Sequence, residues 1–346
     1  MEDKNNIIIY CEIDEIDGKA IVADVSLELL TKGRQLADRL SAKLDAVAIG
    51  RNLSAVPSQV IPYGVDTLYV VDDARLYPYT TLPHASILCG LFAKIEPQIC
   101  LMGATCIGRD LGPRVSSASC SGLTADCTEL EIGSHTDVKT GKEYSNLLYQ
   151  IRPAFGGNIV ATIVNPDHRP QMATVREGVM RKEIVDANYS GRVVNLDAND
   201  FVKDDDFVVE ILNREIQRST VNLKGAQIVV AGGYGVGSKE NFGLLFDLAK
   251  VLGAEVGASR AAIDAGFADA DRQIGQTGVT VRPKLYIACG ISGQIQHVAG
   301  MKESAMIISI NTDPAAPIND IADYSIIGSV DDILPKFINY YKKHSK

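Results

Sequence analysis

The stretch GAQIVVAGGYGVGSKENFGLLFDLAKVLG, residues 225–253, reads as a strand, a glycine-rich turn and a helix in immediate succession. Its apolar, β-branched opening suits a strand covered on both faces. From Lys239 the apolar residues recur at helical spacing, and Gly253 stands where such a helix closes. Between them Gly232, Gly233, Gly235 and Gly237 allow close backbone approach, and a helix N-terminus offers unpaired N–H groups and a positive dipole end. This is how a parallel α/β domain opens at its ligand-binding crevice. The turn fits the named nucleotide fingerprints imperfectly. Read as G-x-G-x-x-G from Gly233, it has Ser238 in place of the third glycine; read as a P-loop from Gly232, it ends Ser238-Lys239, the reverse of the required order. A tight turn without a ligand is the alternative reading.

Outward from that unit the pattern continues. AEVGASR, KLYIACG and AMIISIN read as further strands downstream. Upstream, NIIIYCEI, DAVAIG, DTLYVV and PQICLMGA alternate with the helical patterns SLELLTKGRQLADRLSAKL and HASILCGLFAKI, which predicts βαβ units and a mostly parallel sheet. From about Gly122, GLTADCTELEI, EYSNLLYQI, NIVATIV and PQMATV look like consecutive strands and predict an antiparallel or edge extension of that sheet. The strand-like DDFVVEI precedes a polar, poorly periodic break. The reading is α/β in two domains: an N-terminal, mostly parallel sheet domain with an antiparallel extension (1–212), a linker (213–223) and a C-terminal doubly wound, Rossmann-like domain (224–346).

Composition narrows the class. The chain has 346 residues, 46% hydrophobic and 22% charged, with a net charge of −9. That acidity argues against nucleic acid, which needs basic surfaces. No apolar stretch approaches the ~20 residues of a membrane span, and MEDKNN is too polar for a signal peptide. The seven cysteines are scattered, odd in number and without a C-x-x-C pair. This fits a reducing cytoplasm and argues against a zinc or iron–sulfur site.

Three further loops carry the chemistry. Ser259-Arg260 sits at a strand end, with QIGQTG (Gln273–Gly278) adding amides, a hydroxyl and glycines; Arg260 could equally be an ion-pair partner of Asp264. GISGQIQHVAGM (Gly290–Met301) places Ser292, Gln294, Gln296 and His297 after another strand. Neither a catalytic triad nor a metal site accounts for His297, which leaves a ligand contact or a structural residue. Asn311, before Asp313-Pro314, is a ligand contact or a routine turn residue. So many neutral hydrogen-bonding groups at strand ends suit a planar, heteroatom-rich ligand.

Together these stretches resemble the α subunit of the electron transfer flavoproteins. GASRAAIDAGF, QIGQTG, LYIACGISG, IQH, AGM and the IN, DP and ADY pieces that follow are similar to that family's flavin signature over roughly a hundred residues. GATCIGRDLGPRVSS, SGLTADCTELEI and IRPAFGGNIVATIVNPDHRPQMATVREGVM resemble the branch from anaerobes, which is associated with electron bifurcation. The resemblance covers nearly the whole chain and implies FAD in the C-terminal domain and a β-subunit partner on the N-terminal one. The cofactor contacts it implies are Tyr234, Ser259 and Arg260, then Gln273, Ile274, Gly275, Gln276 and Thr277. A third loop adds Ser292, Gly293, Gln294, Ile295, Gln296 and His297, and the adenosine side adds Asn311, Ser329 and Val330. It places the guanidinium of Arg260 near the isoalloxazine ring, the Thr277 hydroxyl towards N5 and the His297 imidazole by the C2 carbonyl. There cations or donors stabilise negative charge on the reduced ring.

The chain departs from the family pattern at four positions. Tyr234 stands where GGRG is usual, Gln294 replaces alanine, Ser325 breaks ADYG and Ser329 replaces an acidic residue. These imply a retained ring site with a remodelled pyrophosphate or adenosine grip. The function implied is one-electron transfer between a β-subunit flavin and an acyl-CoA-type dehydrogenase, with bifurcation from NADH to ferredoxin as an extension. A self-contained NAD(P)-dependent oxidoreductase and a nucleotide-binding regulatory protein without a redox role are the competing readings.

Overall fold

The computed structural model describes residues 6–154, 159–214 and 221–344. Residues up to Arg214 form one compact unit and those from Val221 a second. Residues 155–158, within the RPAFGGN stretch, and 215–220 of the expected linker lie outside the described residues.

The first unit begins with β1 (Asn6–Cys11), the hairpin β2 (Ile13–Ile16) and β3 (Lys19–Val22), α1 (Asp24–Leu40), β4 (Lys43–Gly50) and the short α2 (Val56–Val60). It continues through β5 (Thr67–Asp72), α3 (Thr81–Ile95), β6 (Ile99–Gly103), α4 (Cys106–Ala118) and β7 (Leu123–Cys127). The strands β8 (Glu129–Thr136), β9 (Glu143–Ala154), β10 (Ile159–Ile163), β11 (Gln171–Val175) and β12 (Arg192–Asn195) complete it. Seven strands form one parallel sheet in the order β12-β5-β4-β1-β6-β11-β7. Alternate residues of β1 feed two cores: Ile7, Ile9 and Cys11 pack on one face, Ile8 and Tyr10 on the other. This is why the strand reads as an unbroken apolar run.

Two expectations need correction. The antiparallel strands do not extend the parallel sheet: β8, β9 and β10 form a separate three-stranded sheet, while β7 and β11 pair in parallel within the large one. Every residue of β11 is buried, so both its faces need cover, and an inner parallel position supplies it. The strand-like DDFVVEI forms no strand, and Val208 and Val209 are 68% and 63% exposed. Asp204–Asp206 close a short turn there, with the Asp206 carboxylate accepting from the Lys203 N–H, and the residues beyond it run outside any sheet.

The second unit contains β13 (Ile228–Gly232), α5 (Lys239–Leu252), β14 (Glu255–Ala258), α6 (Arg260–Asp264) and β15 (Leu285–Cys289). It ends with α7 (Ile295–Val298), β16 (Ile307–Asn311), α8 (Ile318–Ile321), β17 (Tyr324–Ile327) and α9 (Val330–His344). Its five strands are parallel in the order β14-β13-β15-β16-β17. Val230 packs with Phe242, Leu245 and Leu334 on one face, and Val229 and Ala231 with Tyr286 and Ile307 on the other. The chain steps from β13 to β14, then returns to place β15 on the opposite side. The switch point therefore falls between β13 and β15, where this fold opens a crevice at the carboxyl ends of its strands.

The two loops at that switch point touch through bare backbone. Gly233 N–H donates to Cys289 O at 2.8 Å and Gly235 N–H to Gly290 O at 3.0 Å. A Cβ at Gly233 would lie 2.2 Å from Gly290 O, and one at Gly235 2.7 Å from it. Gly290 itself has φ +60, where a side chain is strained. Gly233→Ala should therefore destabilise the second unit by about 1–3 kcal/mol, because the blocking atom is a carbonyl that cannot rotate away. A lowered urea midpoint at unchanged m-value checks this; wild-type stability would mean the loops do not meet as described.

Candidate functional site

The carboxyl ends of all five strands of the second unit are stitched together by loop hydrogen bonds. Ser259 N–H donates to Gly232 O (2.9 Å), linking the ends of β14 and β13, and the glycine contacts link β13 to β15. Gly290 N–H donates to Ile310 O (2.8 Å) and Ile318 N–H to Ser292 O (3.1 Å), linking β15 to the loop after β16. Gly328 N–H donates to Asn311 O (3.0 Å), linking β16 to β17. Around this seam lies a cavity of about 750 Å³, a volume suited to a sizeable organic ligand.

The cavity brings together most residues singled out in the sequence. Tyr234, Ser259 and Arg260 line it from the ends of β13 and β14, and Gln273, Ile274, Gly275, Gln276 and Thr277 from the following loop. Ser292, Gln294, Gln296 and His297 line it from the β15 side, and Asn311 from β16. Gly293 and Ile295 are not on the wall. Gly293 (φ +89) packs on α8, where a Cβ would meet Ile318 N at 2.2 Å, so its role is to let that loop turn. Ser329 and Val330 also lie off the wall; Val330 is 5% exposed and opens α9 within the core. Gly233 and Gly235 of the glycine-rich turn line the cavity as well, and Ala261, Asp264, Gly290, Ile291, Asp313, Ala316 and Pro317 join them without having been assigned to the ligand from the sequence. The glycines carried a signal in their density at strand ends. The others carried none apart from the tertiary fold.

Hydrogen bonding assigns each polar group a capacity. Gln273 Nε2 donates to Thr277 Oγ1 at 2.9 Å, which occupies a lone pair and leaves the hydroxyl hydrogen to be donated elsewhere. Asn311 Nδ2 donates to Ile291 O (2.9 Å) while its Oδ1 accepts from Asp313 N–H (3.0 Å), so this asparagine chiefly ties two loops together. Arg260 is exposed and pairs with Asp264 at 3.6 Å, a loose surface contact worth little on its own. Among the described residues of the wall it is the one fixed cation, beside the carboxylates of Asp264 and Asp313.

His297 lines the cavity and is held on both sides of its ring. It is 7% exposed, and both ring nitrogens are engaged within the chain. Nδ1 lies 3.1 Å from Ile274 O, which can only accept, so Nδ1 carries the proton. Nε2 then accepts from Tyr286 OH at 2.9 Å. Burial pushes the imidazole down to about 4, against a smaller upward pull from the Ile274 carbonyl, so the ring is neutral at pH 7. Within this chain His297 therefore acts as a positioning residue. It holds the Gln273–Thr277 loop against β15 and α7, helped by Gln276 N–H donating to Gln296 O at 2.7 Å. Tyr286, the partner that fixes its tautomer, looked in the sequence like an ordinary strand residue.

A cradle of bare backbone lined with amides, hydroxyls and one guanidinium fits a long, mostly neutral, heteroatom-rich ligand. Comparison with known proteins agrees. The family described as electron transfer flavoprotein domain matches residues 11–201, and the electron transfer flavoprotein FAD-binding domain matches residues 222–302. The electron transfer flavoprotein subunit alpha of Thermoanaerobacterium thermosaccharolyticum is 45% identical over 99% of both chains. Protein FixB of Clostridium saccharobutylicum is 48% identical over 92% of both. The acryloyl-CoA reductase electron transfer subunit beta of Anaerotignum propionicum is 40% identical over 98% of this chain and 96% of its own.

The neutral state of His297 sets an acid limit. Its ordinary value is 6.5, so between about 6.5 and about 4 the unfolded chain takes up a proton that the folded chain refuses. The resulting stability is complete above that window and is lost as pH falls through it, by about 3 kcal/mol at its lower end. Urea midpoints from circular dichroism should fall between pH 7.5 and 4.5, and His297→Gln should make that fall shallower. An equally steep fall in the variant would mean His297 is not buried neutral.

Proposed function

This chain belongs to the electron transfer flavoprotein α-subunit family and has FAD as its cofactor, and from that premise we propose that it is the half of a heterodimer whose flavin passes electrons singly to an acyl-CoA-type dehydrogenase. The observation that carries this reading is the cavity itself. One exposed guanidinium, the Thr277 hydroxyl with its hydrogen free, further hydroxyls and a set of amides line it from the ends of β13, β14, β15 and β16. FAD supplies the electron chemistry; this chain binds, orients and tunes it.

Each residue then has a defined task. Arg260 supplies positive charge where the reduced ring is negative, so it raises the potential. Thr277, whose oxygen accepts from Gln273, would keep its hydroxyl hydrogen for the bound ring. Ser292, Gln294 and Gln296 offer neutral donors to the pyrophosphate, and Asn311 holds the adenosine end of the cavity in shape. His297 stays neutral and keeps the Thr277 loop in register.

The β subunit binds the N-terminal unit in this reading. Exposed apolar residues there, among them Val208, Val209 and Leu212 (68%, 63% and 86% exposed), offer surface for a partner to cover. The relative named for acryloyl-CoA reductase favours an acyl-CoA-type partner. The resemblance of GATCIGRDLGPRVSS and the stretches after it to the branch from anaerobes carries bifurcation as an extension of this reading, with a second flavin in the β subunit, NADH as donor and ferredoxin as one acceptor.

Two measurements test this. Co-expression with the β subunit should yield a yellow heterodimer that NADH reduces, with two flavins if it bifurcates and one if it is a simple carrier; a heterodimer that retains no flavin overturns the reading. Arg260→Ala should lower the potential of the FAD bound to this chain by roughly 40–60 mV, the equivalent of about 1–1.4 kcal/mol. An unchanged potential would remove Arg260 from the ring.

A further inference from the structure

Tyr234 is a large aromatic residue with an unusual setting. It is 65% exposed, yet the backbone on either side of it lies in close contact with the β15 loop. Gly233 and Gly235 on either side donate to Cys289 O and Gly290 O, and neither position has room for a Cβ. The ring is fixed as well. It stacks on Phe267 at 5.9 Å between centroids and 12° between planes, and Phe267 leans on the core residue Phe242 at 6.3 Å and 49°. A clamped backbone and a backed ring thus hold an aromatic surface on the wall of the cavity. Scattered exposed tyrosines need no such support.

Its place along the cavity decides what it meets. Phe267 follows α6, so the stack leans towards the β14 end, where Ser259, Arg260 and Asp264 line the wall. Asn311, Asp313 and Pro317 line the wall on the β16 side, beyond β15. A flat, backed ring on the strand end next to that of Ser259 and Arg260 suits a planar ring system, on which it can stack. From this we infer that Tyr234 packs against the isoalloxazine ring of FAD and makes an aromatic contact that fixes the ring at the Arg260 end of the cavity. This rests on the assignment of that end to the flavin ring under Proposed function.

The test separates the two halves of the cofactor. The full-length chain, co-expressed with its partner and stripped of flavin, is titrated with FAD, with riboflavin as the ring half and with ADP as the adenosine half. Tyr234→Ala should weaken FAD and riboflavin each by about tenfold, the typical worth of one aromatic stack, and leave ADP unchanged. Tyr234→Phe should restore both, which distinguishes a lost ring contact from a disturbed fold, and bound-flavin fluorescence should rise in Tyr234→Ala but much less in Tyr234→Phe. Weakened ADP with unchanged riboflavin would place Tyr234 at the adenosine end and overturn the inference. Unchanged binding of all three would remove it from the cofactor altogether. If the wild-type complex binds ADP but neither FAD nor riboflavin, the orientation given under Proposed function fails first.

Discussion

Everything at the cavity depends on the backbone contact between the β13 and β15 loops. Parallel strands all present their carboxyl ends on one side of a sheet, and a reversal of winding opens a gap there. In this chain the gap is closed at its base by Gly233 and Gly235 lying directly on Gly290. That contact sets the floor of the cavity and projects Tyr234 outward. It also fixes the start of the loop bearing Ser292, Gln294 and Gln296. The hydrogen bonds from Ser259 to Gly232 and from Ile318 to Ser292 extend the same seam outward to β14 and α8.

A second tie, from His297 to Ile274 and Tyr286, governs the electrostatics of the wall. Because both ring nitrogens are used within the chain and burial keeps the imidazole neutral, the wall has one fixed cation among the described residues, Arg260. Charge control is therefore concentrated at an exposed arginine whose strength depends on how far the bound cofactor and partner exclude water. The first unit buries a similar pair: Tyr10 OH lies 2.9 Å from His84 Nδ1, His84 Nε2 lies 3.0 Å from Leu76 O, and burial pushes His84 down to about 4. Both halves of the chain thus lose stability in acid for the same reason.

Much of this was legible in the sequence, and the failures have physical causes. The strand–turn–helix of residues 225–253 reads correctly because apolar periodicity and glycine placement are local properties. The loops after β14, β15 and β16 could be gathered into one site because parallel strands bring their ends together. The antiparallel strands were misassigned because alternation marks a strand and does not say which sheet it joins. Val208 and Val209 read as a strand because propensity does not say whether a segment finds a sheet to join. His297 was the hardest case. Its ligands are Tyr286 and a backbone carbonyl from another loop, and neither has a sequence signature. Val330 was assigned to the cofactor by resemblance, and its burial in the core at the start of α9 could be known only from the fold.

The sharpest check on this picture is the protonation state of His297 in the FAD-loaded heterodimer. Long-range proton–nitrogen correlation spectra of the histidine rings at pH 7 should give a neutral imidazole protonated at Nδ1, with Nε2 a bare acceptor, whether the flavin is oxidised or reduced. An imidazolium, or a ring protonated at Nε2, would contradict the account. It would return to His297 the electrostatic role assigned here to Arg260.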